Sequence, residues 1–188
     1  MSEIKMNISF PFDEDKFFRR QCPLCKREFK VLLEENEIED NAKKSIESFM
    51  LEEGNEKGES ENDQAEEYYC PYCGQTSTHD CWWTDGQAAY LKIYIENIMK
   101  DLINKNLINP LKRKFNRPTS GPISIKYEGN RLEQEQPWIS PEENNMKVFD
   151  LPCCDRVLKI REEWKDKVHC FFCGFPHKYK QKLHKHSE

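Results

Sequence analysis

Cys22-Pro23-Leu24-Cys25 and Cys70-Pro71-Tyr72-Cys73 constrain this chain more than any other feature of it. Two residues between paired cysteines allow a tight turn that aims both sulfurs at one point. Two such turns offer four soft donors, the set that suits tetrahedral Zn²⁺ at about 2.3 Å per sulfur. Gly74 directly follows the second pair, where a turn often calls for a positive φ. The chain needs such a staple. Of its 188 residues 37% are apolar and 34% charged, too little for one large core, and thin cores depend on disulfides or metal. The first residues carry no apolar signal core and no stretch approaches eighteen apolar residues. The expectation is therefore a cytoplasmic, reducing setting with no membrane partner, in which paired cysteines bind metal rather than form disulfides.

The order C-P-x-C, short strands, C-P-x-C-G resembles the zinc-ribbon family. The resemblance covers the two turns and a few flanking residues, and it implies a structural metal rather than any particular activity. Forty-four residues separate Cys25 from Cys70, longer than in a compact ribbon. Most of that length is an acidic insertion, residues 34–67, with fourteen acids and three bases. Loop-closure entropy grows only logarithmically, so the insertion is tolerable. Ile38, Ala42, Ile46 and Phe49 predict one short amphipathic helix inside it. From Glu52 to Glu67 no apolar period remains, and disorder is expected.

A second, altered copy closes the chain: Leu151-Pro152-Cys153-Cys154 and, after fifteen residues, Cys170-Phe171-Phe172-Cys173-Gly174. Aligned on the proline, Leu151 stands in the first cysteine's place and Cys153 falls between the two ligand positions. Three arrangements are open. All four cysteines ligate in an unusual geometry; three ligate and His169 or His177 completes the site; or the metal is lost and packing alone remains. The first is preferred. The candidate metal ligands are then Cys22, Cys25, Cys70 and Cys73 in one site and Cys153, Cys154, Cys170 and Cys173 in another, with two Zn²⁺ per chain.

The expected fold is a small, metal-stabilised α+β chain: two zinc ribbons of short antiparallel strands joined by an amphipathic helix and a linker. Residues 1–110 form the first ribbon with its insertion, 111–145 the linker, and 146–188 the second ribbon with a basic tail. "ISFPF" and "REFKVLLE" read as strands beside Cys22 and Cys25, "ISIKY" as a strand in the linker, and "MKVFDL" and "RVLKIR" as strands around the last four cysteines. Thr84 and Gln87 make a capping box for a helix over 85–108, which Asn109-Pro110 should stop. Cys81 is expected neutral and packed with Trp82 and Trp83. A His79–Cys81 nucleophile pair is the weaker alternative.

Enzyme signatures are missing. There is no phosphate loop, no H-E-x-x-H and no nucleophile elbow, so no catalytic residue and no small-molecule substrate is expected. CPYC also occurs as a redox active site in glutaredoxins, but there it opens a helix within a βαβ unit, a pattern absent here. Binding classes remain. Lys112, Arg113, Lys114 and Arg117, with the tail from His177 to His186, form basic stretches suited to nucleic acid, and Phe115, Phe171, Phe172 and Tyr179 are aromatics that could stack on bases. Solvated linker charge is the bland reading of the same residues. The alternative class is a protein adaptor that uses the ribbons as structural modules.

Overall fold

The computed structural model describes residues 8–53, 67–116 and 126–178. Residues 1–87 and 139–188 form one compact unit and residues 88–138 a second.

In the first unit, β1 (Phe18–Gln21) and β2 (Glu28–Val31) form a hairpin around Cys22–Cys25. β5 (Lys147–Leu151) and β6 (Arg156–Ile160) form another around Cys153–Cys154. β2 pairs antiparallel with β6, so both hairpins belong to one four-stranded sheet of order β1-β2-β6-β5. The sequence reading places its two cysteine-bearing copies at opposite ends of a linker; their strands instead share a sheet. Two small hairpins carry the other cysteine pairs: β3 (Glu67–Tyr69) with β4 (Thr76–Thr78), and β7 (Val168–His169) with β8 (Pro176–His177).

The contacts between the two copies are reciprocal, as in an isologous dimer interface. The Tyr69 amide donates to the Phe171 carbonyl at 2.9 Å, and the His169 amide to the Pro71 carbonyl at 2.9 Å. Gly74 lies under the His169 ring, and Gly174 under that of Tyr69, the matching position. Lys30 faces Lys159, its counterpart, across β2 and β6. Phe29, Val31, Leu158, Ile160, Trp82 and Phe171 fill the core beneath, each at most 1% exposed.

Two lysines at facing positions of a sheet repel. Here Asp13 resolves the conflict. Its Oδ2 accepts from Lys30 Nζ at 3.0 Å and from Lys159 Nζ at 2.9 Å, and all three side chains are buried. Asp15 adds a second carboxylate to Lys159 at 2.6 Å, and Glu142 one to Lys30 at 3.2 Å. Burial alone would raise the Asp13 carboxyl; hydrogen bonds from Lys159, the Phe17 amide and Lys30 carry it below its ordinary value. Burial likewise works against the Lys159 charge, yet its bonds to Asp13 and Asp15 raise its pKa.

The segment "ISFPF", expected as a strand, is not one. Pro11 has no amide to give to a ladder, and the segment packs by its side chains: Ile8 and Phe10 are buried, and Phe10 stacks on Trp83 with ring centroids 5.3 Å apart. α1 (Glu35–Glu53) is longer than the short helix expected and extends past Glu52. Its Ile38, Ala42 and Ile46 are buried, as their spacing requires, and Ser45 accepts from Trp83 Nε1 at 3.0 Å. The rest of the expected disordered stretch, 54–66, lies outside the described residues.

α2 (Asp85–Ile103) begins at the expected capping box. The Thr84 amide donates to Gln87 Oε1 at 2.9 Å, and the Gln87 amide to Thr84 Oγ1 at 3.2 Å. Asn109-Pro110 does not stop it. A π-helical turn, Asn104–Ile108, follows, and α3 (Asn109–Phe115) continues with Pro110 in its first turn. The wider turn lets the Asn109 amide reach the Asn104 carbonyl, so the helical run passes into α3 with Pro110 in its first turn. Within the second unit, residues 126–138 run extended along these helices. Asn104, Asn97 and Asn116 each use both ends of the side-chain amide to hold the backbone of Leu132, Glu135 and Tyr127 respectively. Asn97 and Asn104 stand about 10 Å apart along the helix, roughly the length that Leu132 to Glu135 covers when extended. The described part of "ISIKY", Lys126 and Tyr127, is therefore strapped to a helix and is not a strand.

Replacing Asp13 by Asn should cost about 3–5 kcal/mol in urea unfolding, because two buried ammonium groups lose their shared counter-charge. A triple variant, D13L/K30M/K159M, should recover most of that loss. The Asp13 contribution is present above the ordinary carboxylate pKa of about 3.9 and lost as pH falls through its lowered folded value.

Candidate metal centre

Each cysteine pair sits on a turn that the adjoining hairpin holds in place. In the first, the Cys22 amide donates to the Arg27 carbonyl and the Lys26 amide to the Cys22 carbonyl, both at 3.0 Å. In the second and fourth, the amides of Cys70 and Cys170 donate to the carbonyls of Gln75 and Phe175, and those of Gly74 and Gly174 return to Cys70 and Cys170, all at 2.9 Å. The residue after each second cysteine adopts positive φ: Lys26 59°, Gly74 71°, Asp155 50° and Gly174 73°. Glycine is needed where the turns of the small hairpins meet. A Cβ on Gly174 would stand 2.6 Å from the Tyr69 ring, and one on Gly74 2.9 Å from the His169 ring.

The turns bring eight sulfurs into two groups of four: Cys22, Cys25, Cys70 and Cys73, and Cys153, Cys154, Cys170 and Cys173. Within each group all sulfurs lie within 4.8 Å of one another. In the first, Cys22 and Cys73 are 3.8 Å apart and Cys25 and Cys70 3.7 Å. In the second, Cys154 and Cys170 are 3.8 Å apart and Cys153 and Cys173 3.5 Å. Four thiolates around one tetrahedral ion at about 2.3 Å stand about 3.8 Å from each other, whereas a disulfide needs about 2.05 Å. All nine cysteines are free thiols. Each group is thus able to hold one metal ion.

Burial and mutual contact shift these thiols in both directions when no ion is present. Burial drives the Cys70 thiol far up, and it raises Cys22 as well. Hydrogen bonding to Cys173 is the main cause that lifts Cys154 to about 11. A backbone hydrogen bond at Phe175 lowers Cys173 to about 7. Four thiolates packed at these distances repel, and a bound cation removes the conflict. The first group is the more enclosed: Cys22 and Cys70 are buried and Cys25 and Cys73 half-buried, while Cys153 and Cys173 are exposed.

Leu151 occupies the place that Cys22 holds in the first copy, and each is 1% exposed. Cys153, two residues on, brings its sulfur to Cys173 as Cys22 does to Cys73. The displaced cysteine therefore reaches its cluster by a different backbone position. His169 is not part of either cluster. Its ring lies over Gly74, and its Nδ1 is buried without a hydrogen-bond partner among the described residues. His177 is likewise outside the four-sulfur group, but its Nε2 is 3.1 Å from Cys153 Sγ.

Cys81 is exposed, not packed between the tryptophans. It lies in a 3₁₀ turn, His79–Cys81, that directs its thiol to Thr78 Oγ1 at 3.3 Å, while Trp82 takes the core position. Cys70 and Cys73 join two strands rather than opening a helix, so the helix N-terminus that activates a redox CPYC is absent from this site. Phe171, expected as an exposed aromatic for base stacking, is instead 1% exposed and stacks on Tyr68, with ring centroids 4.5 Å apart. Lys112, Arg113 and Lys114 lie on α3, in the second unit; Arg117, Tyr179 and most of the basic tail lie outside the described residues. A signal for the Asp13–lysine network was legible only as isolated charges, since nothing local marks a lysine as buried.

Compared with protein-family models, curated proteins and solved structures, the chain matches none.

Replacing Cys70 by Ser should lower bound metal by one equivalent in elemental analysis. It should also cost most of the tertiary near-ultraviolet signal, because the apparent free energy of a structural site, about 10–16 kcal/mol for zinc, is folding free energy.

Proposed function

We propose that this chain is a non-enzymatic binding module built from two zinc ribbons that share one sheet. The observation that carries the reading is the pair of four-sulfur clusters at tetrahedral spacing. An all-thiolate set selects zinc among the common divalent ions of a reducing setting, and a closed shell of four leaves no open position for water or substrate. The metal then holds surfaces in place and takes no part in chemistry.

The partner we favour is nucleic acid or a complex that contains it. Lys112, Arg113 and Lys114 form one turn of α3, with Arg117 just beyond it. Four phosphate contacts from these residues would give a log–log salt slope of about −3 to −4. A second reading, a protein adaptor, draws on a different observation. Met99, Ile103 and Leu107 are 40%, 39% and 55% exposed and follow one another at steps of four, an apolar stripe of the kind that docks on proteins.

Fluorescence anisotropy of the zinc-loaded protein with labelled single-stranded and duplex oligonucleotides, at two salt concentrations, tests the first reading. Binding that falls with the stated slope and weakens in K112E/K114E supports it. Removing 54–66, which hold five acids and one base, should tighten binding by lowering self-repulsion. That deletion spares α1, whose buried face rules out excising the whole of 34–67. No binding at low salt by either form discards the nucleic-acid reading. The adaptor reading then predicts a partner that survives nuclease treatment and is lost in I103E/L107E.

A further inference from the structure

We propose that His177 is the reserve ligand of the second cluster, taking the place of Cys153 when that thiol is lost, so that this site holds its ion either as Cys₄ or as Cys₃His. The inference rests on the zinc reading of that cluster. Three observations carry it. First, Cys153 is its most weakly built donor. In the other three turns the first cysteine is buried and its amide is tied into the hairpin, as with Cys22, Cys70 and Cys170. In this turn Leu151 fills that buried place. Cys153 supplies its sulfur from the position that corresponds to Leu24, which is 62% exposed, and is itself exposed.

Second, an imidazole nitrogen already stands beside that sulfur. His177 Nε2 is 3.1 Å from Cys153 Sγ. Around a tetrahedral zinc with legs of about 2.0 Å to nitrogen and 2.3 Å to sulfur, neighbouring donors are about 3.5 Å apart. The nitrogen thus stands beside the donor it would replace but outside the four-sulfur group, and loss of the Cys153 thiol lets the ring turn into the vacated place. The ring is braced for this by Phe175 and Phe149, at centroid distances of 5.2 and 6.2 Å. Third, the reserve exists only where it is needed. The matching position in the first copy, paired with Tyr68 as His177 is with Val168, is Ser77, which brings no imidazole. Cys₃His is itself a standard structural zinc set, so the exchange leaves the shell closed.

Zinc content of the full chain after gel filtration, combined with cobalt substitution, tests this. Wild type should hold two equivalents, C153S two and C154S one, because the histidine stands beside Cys153 Sγ. C153S/H177A should fall to one. The cobalt form of C153S should show its visible bands moved to shorter wavelength, with weaker sulfur-to-metal charge transfer, as one nitrogen replaces one sulfur. A single equivalent in C153S overturns the proposal. So does a second equivalent retained in C153S/H177A, or a cobalt spectrum of C153S without a nitrogen donor. Wild type with one equivalent, held by the first cluster alone, overturns the zinc reading of the second cluster itself and the reserve role with it.

Discussion

Lys30 and Lys159 face each other across the only pair of strands that joins the two copies in the described sheet. Two ammonium groups in that position, both buried, would force β2 and β6 apart. One carboxylate, Asp13, bonds both of them. Everything else in the first unit assumes that this strand pair is closed. The core aromatics pack beneath it, and the small hairpins exchange reciprocal amide bonds between the same two copies. The lysines are thus no accident of a charged sequence. They are the meeting point of two similar halves, and the single acid between them is the feature that no symmetry supplies.

The clusters depend on the same arrangement. Each needs one turn from the four-stranded sheet and one from a small hairpin, brought together across the core. A chain this rich in charge has little apolar surface to enforce that meeting. Sulfur–metal bonds are short, strong and directional, and they suit a fold that must define its shape with few buried side chains. The two sites are nevertheless unequal. The first is enclosed, while the second lies nearer solvent and is built with a displaced cysteine. Equal ligand count does not mean equal permanence: an enclosed thiolate is shielded from protons, chelators and oxidants that an exposed one meets directly.

The second unit follows a different logic. Asparagine amides on a helix present a donor and an acceptor side by side, the same pair that a strand edge presents. Three of them hold an extended segment by its backbone without regard to its side chains. This explains how a stretch that reads as linker, rich in charge, Pro and Gly, takes a defined path. It also leaves the apolar stripe of Met99, Ile103 and Leu107 uncovered enough to meet another molecule.

Much of the candidate site was legible from spacing alone. Paired cysteines with a proline between them define turns, and the turns define where sulfurs point; that is local covalent geometry, which a sequence carries directly. The capping box at Thr84 and Gln87 and the apolar period of α1 are local in the same sense. What depended on tertiary structure was every choice between distant partners. Cys153 is a plausible donor and an implausible one on equal sequence grounds, until the fold shows Leu151 in the core and the sulfur of Cys153 beside Cys173. His169 and His177 look alike in the chain, yet one lies over Gly74 and the other beside a thiol. Pro110 has the sequence signature of a stop, and a π turn absorbs it. Above all, nothing near Lys30, Lys159 or Asp13 in the sequence announces that they meet. The pairing of the two lysines is set by strand register between segments more than a hundred residues apart, and register is decided by the packed core as a whole.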